Sequence, residues 1–229
     1  VILLSILLAL YCSRPESHIH GNISDLPDGL VMLNTRNGGM TPIDSTVSVQ
    51  GVFSLQTPRG PADIYYLQFI GKGGPDYFLP VILDGNDIII TGRFGTYDQI
   101  NIEGSAANTE LKDVNTRINA YRVMAEAVSL ELRPYEDSIA LVDSARYQAL
   151  NTKLDSIFNV ISEVRGNFIR TNPSSIVAAM FAAGGLTEES SLKEIVSMLH
   201  LLSPDIADNA FIRRLKDRRE ELSKQERNN

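Results

Sequence analysis

The sequence predicts a segregated α+β protein, with an antiparallel β-sandwich or barrel-like module followed by an all-helical module. Three observations carry this. From His18 to Gly104, runs rich in Val, Ile, Tyr and Phe alternate with clusters of Gly, Pro, Asn and Asp. Turn signals about every eight to twelve residues mark a sandwich or barrel. After Gly104, apolar residues recur at steps of three and four, the period of a helix face. The length of 229 residues, 43% of them hydrophobic and 21% charged, allows one large domain or two small ones.

The chain opens VILLSILLALYC, and Cys12 is its single cysteine. This apolar run is shorter than the roughly 20 residues a membrane-spanning helix needs, and it matches the core of a secretory signal. The basic segment that normally precedes such a core is missing and the first residue is Val1, so a few residues are expected upstream. Three readings compete for Cys12. A buried small hydrophobe in a helix is disfavoured by Ser13, Arg14, Pro15 and Glu16, which follow at once. A free thiol of no consequence is the second. The third is lipid attachment: LALYC resembles the lipobox of bacterial lipoproteins at Leu8, Ala9 and Leu10, and departs from it at Tyr11. Lipidation of Cys12 is preferred, with an ordinary cleaved signal as the alternative. Residues 1–12 are thus read as signal peptide and lipobox, 13–17 as a polar tether, 18–104 as the β module and 105–229 as a helical connector.

Eight candidate strands follow: HIHGNI, LVMLNT, IDSTVSV, VFSLQT, DIYYLQFI, FLPVIL, DIIITG and QINIEG. Gln50-Gly51 reads as a hairpin turn, because glycine accepts positive φ without penalty. Asp84-Gly85-Asn86-Asp87 reads as another. Val47 and Val49, then Phe53 and Leu55, show the period of two expected where one sheet face is buried. In the helical half, Leu111, Val114, Ile118, Tyr121, Ala125 and Val128 fall on one face, and Pro134 is expected to break that helix. Leu150, Leu154, Ile157, Phe158, Ile161, Val164 and Phe168 mark the next stripe. Asn172-Pro173 and Ser203-Pro204 each read as an N-cap with Pro at the first helical position. Leu192, Ile195, Val196, Leu199 and Leu202 form a further amphipathic series, and Gly184-Gly185 reads as a helix end. The closing helix carries seven basic and five acidic residues from Asp208 onward, a solvated face or a linker.

Several chemistries are excluded or disfavoured. A net charge of -7 argues against a nucleic-acid partner, which needs a basic face. One cysteine rules out a zinc knuckle or an intrachain disulfide. His18 and His20 share a strand face, but with only the off-register Asp25 nearby they read as exposed imidazoles rather than a metal site. His200 reads as a half-buried helical histidine. Gly38-Gly39 and the cluster Gly71, Gly73 and Gly74 around Lys72 lack the spacing of a phosphate loop. Asp44, Asp63, Asp76, Asp84, Asp87 and Asp98 are explained mostly by turns, whose backbone an Asp side chain can bond. No catalytic, cofactor-binding or metal-ligating residue is assigned, and no cofactor is expected.

The motifs LPDG (26–29), IDS (43–45), GVF (51–53) and IEGS (102–105), in that order, resemble the domain of unknown function 4369 family. FIRTNPSSIVAAMFA resembles the helical connector that follows it. In Gram-negative envelope lipoproteins this module precedes a thioredoxin-like domain of the TlpA/AhpC thiol–disulfide oxidoreductase type. The resemblance runs from about His18 to the C terminus. It implies a periplasmic, lipid-anchored module that binds a protein partner or positions a redox domain. It does not imply redox activity for these residues, because that chemistry needs a Cys-x-x-Cys pair and Cys12 has no second thiol. The redox domain is expected to begin about where Asn229 ends. A stand-alone envelope adaptor is the first alternative. A carbohydrate-acting hydrolase using Asp44 and Asp84 in the sandwich loops is the second.

Overall fold

A computed structural model describes residues 17–36, 40–71, 77–95, 99–136, 145–185 and 190–228. Cys12, Gly38-Gly39, the residues 72–74, Asp76 and Asp98 lie outside them. The β module contains strands β1 (His18–Ser24), β2 (Gly29–Arg36), β3 (Met40–Ser48), β4 (Val52–Gln56), β5 (Asp63–Gly71), β6 (Tyr77–Leu83), β7 (Ile88–Arg93) and β8 (Ile100–Glu103). They form two four-stranded sheets, ordered β4-β1-β7-β8 and β3-β2-β5-β6. The α+β segregation is as the sequence predicts. The sheets are not wholly antiparallel: β1 and β7 run parallel, Ile19 opposite Ile88. Asp84 to Asp87 therefore carries the chain from one sheet to the other instead of closing a hairpin.

The core lies between the sheets. Ile19 and Ile23, Val31 and Leu33, Phe53 and Leu55, Leu67 and Phe69, Leu79 and Val81, and Ile88 and Ile90 point into it. β3 adds no apolar residue to this core. Val47 and Val49 are 60% and 57% exposed, contrary to the expected burial. The turn geometry gives the reason. Gln50 and Gly51 both have positive φ (51° and 79°), so the loop is two residues long and Val49 sits opposite Val52. Continuing that register, Val47 and Val49 share a face with Val52 and Ser54, while Ser48 shares one with Phe53. Gly51 is obligatory, since a Cβ there would lie 2.1 Å from the Ile23 carbonyl oxygen.

The helices are α1 (Ala106–Glu136), α2 (Ala145–Thr171), α3 (Ile176–Gly184), α4 (Leu192–Leu201) and α5 (Ala210–Asn228), with a 3₁₀ turn at Pro204–Ile206. α1 and α2 pack as an antiparallel pair through Ile118, Ala125, Val128, Leu132, Leu150, Ile157 and Ile161. Tyr135 and Tyr147, 5.8 Å apart, join their adjacent ends. Pro134 does not break α1, which runs on to Glu136. So near the C terminus, the proline forfeits a bond in the last turn only. Phe158 is 49% exposed and stands outside the expected stripe. α3, α4 and α5 enclose a second core of Ala178, Ala179, Ala182, Ile195, Phe211, Ile212 and Leu215.

Two start signals resolve differently. Ser203 caps the 3₁₀ turn with Pro204 next, as expected. Asn172 instead closes α2, donating backbone and side-chain N–H groups to the Phe168 carbonyl. α3 is capped by Ser175, which also donates to Glu110 of α1. Gly185 ends α3, its N–H bonded to the Phe181 carbonyl.

Candidate functional site

The site of interest is the joint between the two modules, which three side chains and one backbone bond lock. Asn108, in the first turn of α1 and only 3% exposed, accepts from the Ile82 N–H at 2.9 Å and donates to the Ile82 carbonyl at 2.7 Å. It pairs the β6 backbone as a neighbouring strand would. Ser105 donates to Asp84 at 2.8 Å and accepts from the Asn108 N–H, so it caps α1 while tying it to the β6–β7 connection. On the far side Arg214 of α5 grips both oxygens of Asp63 at 2.8 and 2.6 Å. The Ala210 N–H adds a bond to the Ala62 carbonyl. Beside this pair, burial and then the Asp63 charge push the Tyr65 phenol above its ordinary pKa, partly offset by Arg214. Apolar contact completes the joint. Ile82 is buried against Ala107, Leu111 and Val177, and Ile64 packs on the helical core.

A cleft of about 430 Å³ opens at this joint. Gly60, Pro61, Ala62 and Asp84 line it from the β module, and Ile176, Asp205, Ile206, Asp208, Asn209 and Arg213 from the helical side. Its polar groups are already engaged. Asp84 accepts from Asn86 and Ser105. Asp205 accepts from Ser203, and Asp208 pairs with Arg213. Asn209 caps α5, accepting from the Ile212 N–H at 2.9 Å and donating to the Ile206 carbonyl at 2.6 Å.

The two carboxylates proposed for glycan chemistry do not share a cleft. Asp44 lines a separate depression with Ile43, Gln56, Thr57 and Pro58. There it accepts from the N–H groups of Ser45 and Gln56. Asp87 accepts from the His18 N–H and Asp63 from that of Ile64. These are the backbone-bonding roles expected of such Asp residues. The rings of His18 and His20 stack at 5.8 Å, and His20 contacts Ser54 at 3.2 Å. Among the described residues no three His, Cys, Asp or Glu side chains group to hold a metal, and no helix is long and apolar enough to cross a membrane. His200 is exposed on α4 rather than half-buried as expected. The helical residues of the cleft were not singled out from the sequence. Asp208-Asn209 ahead of Phe211-Ile212 carries the N-cap signature that marks this helix start.

The model of one family, described as Domain of unknown function (DUF4369), matches residues 17–111. The match takes in the eight strands found among the described residues and the first turns of α1, with Ser105, Asn108 and Leu111. The matched segment thus contains both sheets and the residues that clamp α1 onto them. Neither curated proteins nor solved structures gave a match.

Proposed function

We propose that this chain is a non-catalytic envelope module, in which the DUF4369 β module and its helices hold a partner or a redox domain at a set position from a lipid anchor. The observation that carries this reading is the joint. A spacer needs a stiff connection, and here Asn108, Ser105 and Arg214 bond across the boundary while Ile64 and Ile82 are buried against helices. The carboxylates nearest the cleft are held in structural bonds, which favours a scaffold over a hydrolase. Cys12 supplies the lipid attachment in this reading, five residues before Ser17, whose carbonyl accepts from the Thr57 N–H. The anchor, a periplasmic location and the redox partner rest on the sequence resemblance.

Distance measurement between modules tests the reading. Spin labels at Asn22→Cys on β1 and Lys153→Cys on α2, in a Cys12→Ser background, are expected to give one narrow distance distribution by pulsed electron resonance. A broad or bimodal distribution sinks the spacer. The same protein is expected to leave insulin disulfides intact, and turnover in metal-free buffer would remove the non-catalytic assignment.

A further inference from the structure

The flank where α1, α2 and α3 meet carries two arginines with no carboxylate bonded to either among the described residues. Arg165 of α2 lies half-buried, its guanidinium carbon 5.5 Å from the centre of the Phe181 ring of α3. Its Nε is buried and has no acceptor among the described residues. Burial, and then the neighbouring Arg122, lower its pKa. Arg122 of α1 is exposed and reaches back along its helix to donate to Asn115 Oδ1 at 2.9 Å. That is also the level at which α2 delivers Arg165. Val164 packs in the cluster of Ile118, and Phe168 in that of Leu111, so Arg165 stands beside the turn between them.

A buried guanidinium N–H with no acceptor is costly, and setting a second guanidinium beside it adds repulsion. The chain has 28 acidic residues against 21 basic ones, so carboxylates for pairing are plentiful, yet none among the described residues bonds here. Guanidinium forks match phosphate and carboxylate oxygens bidentately, which is why arginine is used where such groups are recognised. We propose that Arg122 and Arg165, with Asn115 orienting Arg122, form a binding site for an oxyanion of the phosphate or carboxylate class. Phe181 would support the Arg165 plane from beneath. The exposed Arg122 leaves the site open to solvent on one side.

Binding of inorganic phosphate and, separately, of acetate tests the site, on residues 17–229 at an ionic strength held constant with chloride. Calorimetry and thermal unfolding are read together. With one of the two anions at ten times its Kd, Tm is expected to rise by about 3–6 °C. Which anion does so distinguishes a phosphate source from a carboxylate one. Arg165→Met should abolish the rise, and Arg122→Met should weaken binding at least tenfold. In buffer lacking both anions, Arg165→Met should be as stable as the parent or more so, because it keeps the apolar stem and removes a half-buried charge. Absence of binding heat and of any Tm rise with both anions would overturn the proposal. So would a full rise in Arg165→Met, or marked destabilisation of Arg165→Met without anion, which would mean that the guanidinium has a protein partner besides the Phe181 ring.

Discussion

At the scale of single residues, Asn108 does what a strand would otherwise do. Its amide satisfies the N–H and the carbonyl of Ile82, which is itself fully buried. Asn108→Ala leaves both groups without a partner and is expected to cost about 2–4 kcal/mol in urea unfolding. Asn108→Asp restores the acceptor only and should still be destabilised. Gly21 is a second such position. A Cβ there would lie 2.0 Å from a carbon of the Phe53 ring, so Gly21→Ala should cost about 1–3 kcal/mol by the same measurement. Asp44 and Asp84 were legible as turn or loop carboxylates. Their exact tasks were not, because the backbone N–H of Gln56 and the hydroxyl of Ser105 reach them only through tertiary contact.

At the scale of elements, the strand and helix periods were legible almost throughout, and the faces were less so. Val47 and Val49 look like core residues when β3 is read alone. The two-residue turn at Gln50-Gly51 assigns them to the opposite face from Phe53 and Leu55. Val47→Thr and Val49→Thr are therefore expected to change stability by less than about 0.5 kcal/mol, whereas Phe53→Ala should cost about 3–5 kcal/mol. Equal losses at all three sites would contradict the register. α4 carries a capping box in which Glu194 accepts from the backbone and hydroxyl of Ser191. Both bonds hold the Glu194 carboxyl below its ordinary pKa. A depressed folded pKa means that this stabilisation is present above the unfolded value and lost as pH falls through the folded one. An NMR titration should place the Glu194 midpoint below that of the same residue in Ser191→Ala.

At the scale of the whole molecule, stability depends on the joint. Asp63 and Arg214 should show a coupling energy of about 1 kcal/mol in a double-mutant cycle, modest because Arg214 is 46% exposed. Residues 17–111 alone lose the α2 to α5 cover of Ile64 and Ile82, and should unfold at a lower temperature than residues 17–229. What the sequence by itself determined was the order and kind of elements, the change from β to helix after Gly104 and the solitude of Cys12, because period and composition are local properties. Only the tertiary structure decided the parallel pairing of β1 with β7, the outward face of β3, the clamp of Asn108 on Ile82 and the placing of Arg165 over Phe181. Each of these joins residues distant in the chain or depends on the register of a neighbouring strand, and no local period records such a relation.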